Sequence, residues 1–156
     1  MRWGVAMVFA FSAAPSLADE TPDPVSEAAI WECITAAAAE PRGAASCIGS
    51  FANACMEAAG AYHTIAVTQC MAAETVGWDA ALNTAYQDLR ADLSGLDAPA
   101  GAADALRDAQ RAWIPFRDAE CRWRGNLTRH ITDYAHCVLD VTATRVLDLV
   151  ANGGGQ

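Results

Sequence analysis

The stretch TIAVTQCMAAETVGWDAALNTAYQDLRADL, residues 64–93, repeats apolar or small side chains at Val67, Met71, Trp78, Leu82, Ala85, Leu89 and Leu93. Glu74 is the one charge on that stripe. The steps alternate between three and four, the spacing of a helix with one face turned to a core. A helix over 64–93 would extend roughly 45 Å, so it needs apolar partners along most of its length.

The flanking sequence supplies them. Towards the N-terminus, Val25 to Glu40 sets Ile30, Cys33, Ile34 and Ala37 at helical spacing, and Pro41-Arg42-Gly43 breaks that helix. A second helix is expected over Ala44 to Ala59, carrying Cys47, Phe51 and Cys55, before the turn Gly60-Ala61-Tyr62. Beyond residue 93, Ser94 to Gly101 reads as a loop. A fourth helix is expected over Ala102 to Cys121, with Leu106, Ala109, Trp113 and Phe116 inward and a kink at Pro115. Arg122 to Thr132 reads as an arginine-rich loop. A fifth helix is expected over Asp133 to Val150, with Val138, Val141, Leu147 and Leu149 inward. No segment alternates as a strand does. The fold class expected is all-α: a disulfide-stapled antiparallel bundle of four to five helices in one domain over 25–150, with a flexible arm over 19–24 and a disordered tail over 151–156.

The N-terminus has the order of a secretory signal: Arg2, an apolar run from Val5 to Ala14, then Ser16-Leu17-Ala18 with small residues at −3 and −1 of a cut after Ala18. That run is too short for a permanent membrane span, and no cysteine adjoins the cut to carry a lipid. The expected location is periplasmic or secreted. Export is the context in which six cysteines form disulfides. Cys33 and Cys47 are 14 apart, Cys55 and Cys70 are 15 apart, and Cys121 and Cys137 are 16 apart, each pair flanking a turn. Six cysteines allow 15 pairings, and pairing of neighbours needs the least rearrangement. A thiol metal site is the competing reading; the sequence has no C-x-x-C and the compartment is oxidising.

Without Arg2, nine arginines face 19 acidic residues, a net charge of −10. This disfavours nucleic acid and anionic membranes as partners and favours cationic ones. With 36 alanines, ten arginines and no lysine, the arginines reflect overall composition more than bidentate recognition. Between Asp19 and Glu40 the acidic residues are Asp19, Glu20, Asp23, Glu27, Glu32 and Glu40, with no basic residue among them. That run would steer a positive partner.

Polar residues on apolar faces form the second group of candidates. Asp79, Asn83 and Tyr86 make a stripe beside Glu74, and Gln110 and Arg117 flank Trp113. An antiparallel hairpin centred near residue 97 brings Arg117 level with residue 77, so a partly buried pair with Glu74 or Asp79 is expected to set the register of the two long helices. If dry, such a pair would cost several kcal/mol to break by removing one partner. A catalytic carboxylate pair is the sharper alternative, but no nucleophile or second carboxylate in a recognisable cleft accompanies it. His130, Asp133 and His136 straddle a loop and a helix start with no fourth metal ligand, which suits surface or capping roles. There is no G-x-S-x-G, phosphate loop or H-E-x-x-H, and no cofactor is implied. Trp31, Trp78 and Trp113 are expected in the core. Trp123, among arginines, is the aromatic best placed to be an exposed interface anchor.

Two blocks then bring a resemblance. Residues 78–89, WDAALNTAYQDL, are similar to the W-D-x-x-L-N-x-x-Y-x-x-L block of the LprI N-terminal-domain family. Residues 109–121, AQRAWIPFRDAEC, resemble its A-Q-R-A-W-x-x-[FY]-R-D-x-E-C block. Cys137 and the run Thr142-Ala143-Thr144-Arg145 resemble its closing portion. The likeness covers roughly Cys55 to Leu149. Pro115 stands where an ordinary helix former is expected, and Val25 to Ala54 looks like an addition to the minimal domain. The resemblance implies a helical exported domain related to lysozyme inhibitors. Two functions follow as expectations: a binding protein that blocks a cationic lysozyme, or a structural or interaction module of the bacterial cell envelope with no enzyme target.

Overall fold

A computed structural model describes residues 21–39, 43–95 and 97–153. The expected signal over 1–18, Asp19, Glu20, the Glu40-Pro41-Arg42 segment and the last three residues lie outside them.

Among the described residues the chain is helical, without strands. The elements are α1 (Glu27–Ala36), two short 3₁₀ turns (Ala37–Ala39 and Gly43–Cys47), α2 (Ser50–Ala59), α3 (Thr64–Asp92), α4 (Ala102–Thr128) and α5 (Ile131–Gly153). Ser26 begins α1, its Oγ accepting the Ala29 N–H at 3.2 Å. His63 begins α3 in the same way, Nδ1 accepting the Ala66 N–H at 3.4 Å. Gly60, at φ 58°, ends α2 in the left-handed conformation that glycine tolerates.

α3 is the central rod. One of its faces lies on α1 and α2, and the other lies along α5. α4 packs mainly along α5 and touches α3 far less. The main core joins Ile30 of α1, Trp78, Leu82, Ala85 and Leu89 of α3, and Leu139, Ala143, Val146 and Leu149 of α5. Gly77 lets the N-terminal arm press onto α3: a Cβ there would lie 2.9 Å from the Val25 carbonyl oxygen. The Val25 N–H donates to the Ala73 carbonyl at 3.0 Å.

The disulfides pair neighbours. Cys33–Cys47 ties α1 to the second 3₁₀ turn, Cys55–Cys70 ties α2 to α3, and Cys121–Cys137 ties α4 to α5, with Cα–Cα distances of 6.0, 5.7 and 5.4 Å. The staples therefore stay within two halves, and the joint between the halves is the packed face of α3 and α5.

Several expectations need correction. The second helix is a 3₁₀ turn, then a break at Ile48-Gly49, then α2. The loop expected from Arg122 is helix as far as Thr128, and α5 runs on to Gly153. Gly125 permits the first of these, because α4 and α5 nearly touch there: a Cβ would lie 3.0 Å from the Tyr134 Cβ. The inward face of α5 is Leu139, Thr142, Ala143, Val146 and Leu149, not the expected set as a whole. On α4, Leu106 and Trp113 are half-buried while Ala109 and Phe116 face solvent. α4 is the outer layer and has one neighbour to bury against along most of its length, so a full apolar stripe was not needed. Trp78 is fully buried; Trp31 and Trp113 are half-buried against the core.

Candidate functional site

Among the described residues Glu74 is the one charged side chain that is fully buried, at 0 % exposure. Its partner is not Arg117. Oε1 accepts the Gly49 N–H at 2.8 Å and the Trp78 indole N–H at 2.9 Å, and Oε2 accepts the Ala52 N–H at 2.7 Å. Gly49 is the N-cap of α2 and has no side chain to satisfy the first-turn amides. Glu74 supplies that cap from α3. Three N–H donors converge on its two oxygens, and the positive end of the α2 dipole lies at the same place. With both oxygens engaged and solvent excluded, this carboxylate fits a scaffold role better than proton transfer.

Arg117 reaches Asp79 instead, Nη1 to Oδ1 at 3.2 Å, and Asp118 at 2.9 Å. The side chains are 17 % and 54 % exposed for Arg117 and Asp79, so the pair is not dry. Arg117 also stacks over Trp113 at 5.3 Å, and Arg145 approaches the same ring at 6.0 Å. Arg145 Nε donates to Gln110 Oε1 at 3.2 Å. Thus Asp79 of α3, Gln110, Trp113 and Arg117 of α4 and Arg145 of α5 form one cluster across three helices. Reading the sequence missed Arg145; its signal was the Thr142-Ala143-Thr144-Arg145 run. Of the stripe beside Glu74, Asn83 faces solvent and Tyr86 packs half-buried against the core.

The surface candidates separate into two regions. In the acidic segment Asp23 and Glu32 are exposed. Glu27 is held locally: Oε1 accepts the Trp31 indole N–H at 2.9 Å. That bond, with the nearby Thr84 hydroxyl, keeps its carboxyl below the ordinary pKa of 4.5. At the other region Trp123 is 57 % exposed on α4. At the same end of the α4–α5 hairpin a shallow cleft of about 560 Å³ is lined by Arg122, Arg129, His130 and Tyr134 among others, Trp123 not being part of its wall. Among the described residues no helix is long and apolar enough to cross a membrane.

Neither a curated protein nor a solved structure matches the chain. A family model described as Lysozyme inhibitor LprI matches residues 55–149. That span holds Glu74, the whole Asp79–Gln110–Trp113–Arg117–Arg145 cluster and two of the three disulfides. On this match, which covers more than half of its residues, the chain belongs to the LprI lysozyme inhibitor family.

Proposed function

We propose that the protein is an exported inhibitor that binds a lysozyme and blocks its cleavage of peptidoglycan. The family match carries this reading. Two physical features support it. Three disulfides hold the helices, so little ordering entropy is lost when a partner docks. Without residues 1–18 the formal net charge is −10, which attracts a cationic enzyme over distance, and exposed Asp23 and Glu32 contribute to that field. Such an inhibitor acts by occupying its target and performs no reaction of its own. The signal at residues 1–18 and the disulfides favour a periplasmic or secreted location.

Calorimetric titration of the oxidised chain into a cationic lysozyme tests this. Saturable binding should appear at low salt and weaken as salt screens the charges. No heat and no complex at either salt concentration would refute the reading, and would leave the chain as an envelope module that shares the family's scaffold.

A further inference from the structure

Between Cys121 and Cys137 the charge balance of the chain reverses, with three arginines against one aspartate in a chain of 19 acidic and ten basic residues. Arg124 is engaged by Glu120 at 2.9 Å. Arg122 and Arg129 enter no ion pair among the described residues and face solvent. Apolar side chains project from the same end of the α4–α5 hairpin: Trp123 is 57 % exposed, Leu127 69 %, Ile131 60 % and Tyr134 42 %. Soluble monomers seldom leave such a group uncovered without a partner for it, and Trp, Tyr and Arg are the side chains that most often dominate interface energy.

The tip is also built to be stiff. The Cys121–Cys137 bond closes a ring around it. Gly125 allows backbone contact with Tyr134, and only Arg129 and His130 link the two helices. Arg129 sits at φ 59°, a left-handed position where glycine is the usual residue.

We infer that this disulfide-closed tip is the inhibitory wedge, seated in the substrate cleft of the lysozyme. The inference rests on the lysozyme-inhibitor reading. A glycosidase cleft places two carboxylates across the scissile bond, so Arg122 and Arg129 meet negative charge there. Trp123, Leu127 and Tyr134 cover the apolar wall against which sugar rings pack. The acidic remainder of the chain faces the cationic outer surface of the enzyme. Both signs of charge on the partner are thereby matched by both signs on the inhibitor.

The test measures lysozyme turnover against the oxidised parent, the double variant Arg122→Glu/Arg129→Glu, and Trp123→Ala. Each variant should raise the inhibition constant by about tenfold or more, with thermal unfolding unchanged because these side chains are exposed. With the parent chain, tri-N-acetylglucosamine, which fills the cleft, should compete and raise the apparent inhibition constant in step with its concentration. The competition arm stands even if a variant misfolds. Folded variants that inhibit as well as the parent, or a saccharide that does not compete, would overturn the wedge while leaving lysozyme inhibition intact. Charge reversal that abolishes only self-association would overturn it in favour of a second copy of the chain as the occupant. A parent that fails to inhibit would remove the lysozyme reading and the wedge with it.

Discussion

At the scale of single residues, Glu74 has the largest expected effect on stability. It joins α2 to α3 through three hydrogen bonds, and its removal leaves the Gly49, Ala52 and Trp78 donors without their acceptor. Glu74→Ala should destabilise by about 3–5 kcal/mol in urea unfolding. Glu74→Gln should cost less, about 1–3 kcal/mol, since it keeps one acceptor oxygen but turns an amide N–H₂ towards a donor. A loss below 1 kcal/mol for Glu74→Ala would show that the cap is not structural. Glu27 gives a pH signature. Its folded pKa is depressed by the Trp31 indole, so its stabilising contribution is complete above the ordinary value of 4.5 and fades as pH falls through the lowered folded value. Unfolding temperatures of the parent should therefore drop on acidification below that value. In Glu27→Gln the difference from the parent should shrink as the pH is lowered. A constant difference across this range would mean that the Trp31 contact does not set the shift.

At the scale of elements, the joint between α3 and α4 rests on a small polar cluster. Asp79 is more than half exposed, so Asp79→Ala should cost under about 1 kcal/mol. Arg117→Ala also loses the stacking on Trp113 and should cost more, about 1–2 kcal/mol. Equal losses in thermal or urea unfolding would show that the ion pair alone matters. α3 was legible from its sequence because it is buried on two sides, so its apolar spacing is strict. The Glu74 partner was not legible, since capping a helix in another part of the chain leaves no spacing signal. α4 was misjudged at both its face and its end for related reasons. It has one packing surface over most of its length, which leaves Phe116 free to face water, and its arginine-rich C-terminal turns look like loop until Gly125 is seen against Tyr134. Composition reports what a residue tolerates, whereas which neighbour it meets is set by tertiary packing.

At the scale of the whole molecule, the family-matched span and the segment before it form one packed body. Ile30 and Val25 cover α3 at Gly77, and the Cys33–Cys47 bond anchors the turn whose Gly49 amide Glu74 accepts. The double variant Cys33→Ser/Cys47→Ser should lose about 3 kcal/mol, as expected for a closed loop of this length, while lysozyme inhibition persists because the α4–α5 staple is untouched. Loss of inhibition in a variant that remains folded would move the binding surface to the N-terminal half. The fold class, the neighbour disulfides and the family could be read from the sequence, because helical periodicity, turn residues and the two motif blocks agree. The motif blocks themselves point inward, to the Trp113 cluster, and so mark the scaffold. The exposed arginine and apolar tip had only one trace in the sequence, the local excess of arginine around Trp123.

Lysozyme turnover titrated with the purified, oxidised chain reaches the central claim most directly. Turnover should fall towards zero as the chain exceeds the enzyme at micromolar concentration. Undiminished turnover at that excess would contradict the inhibitor reading.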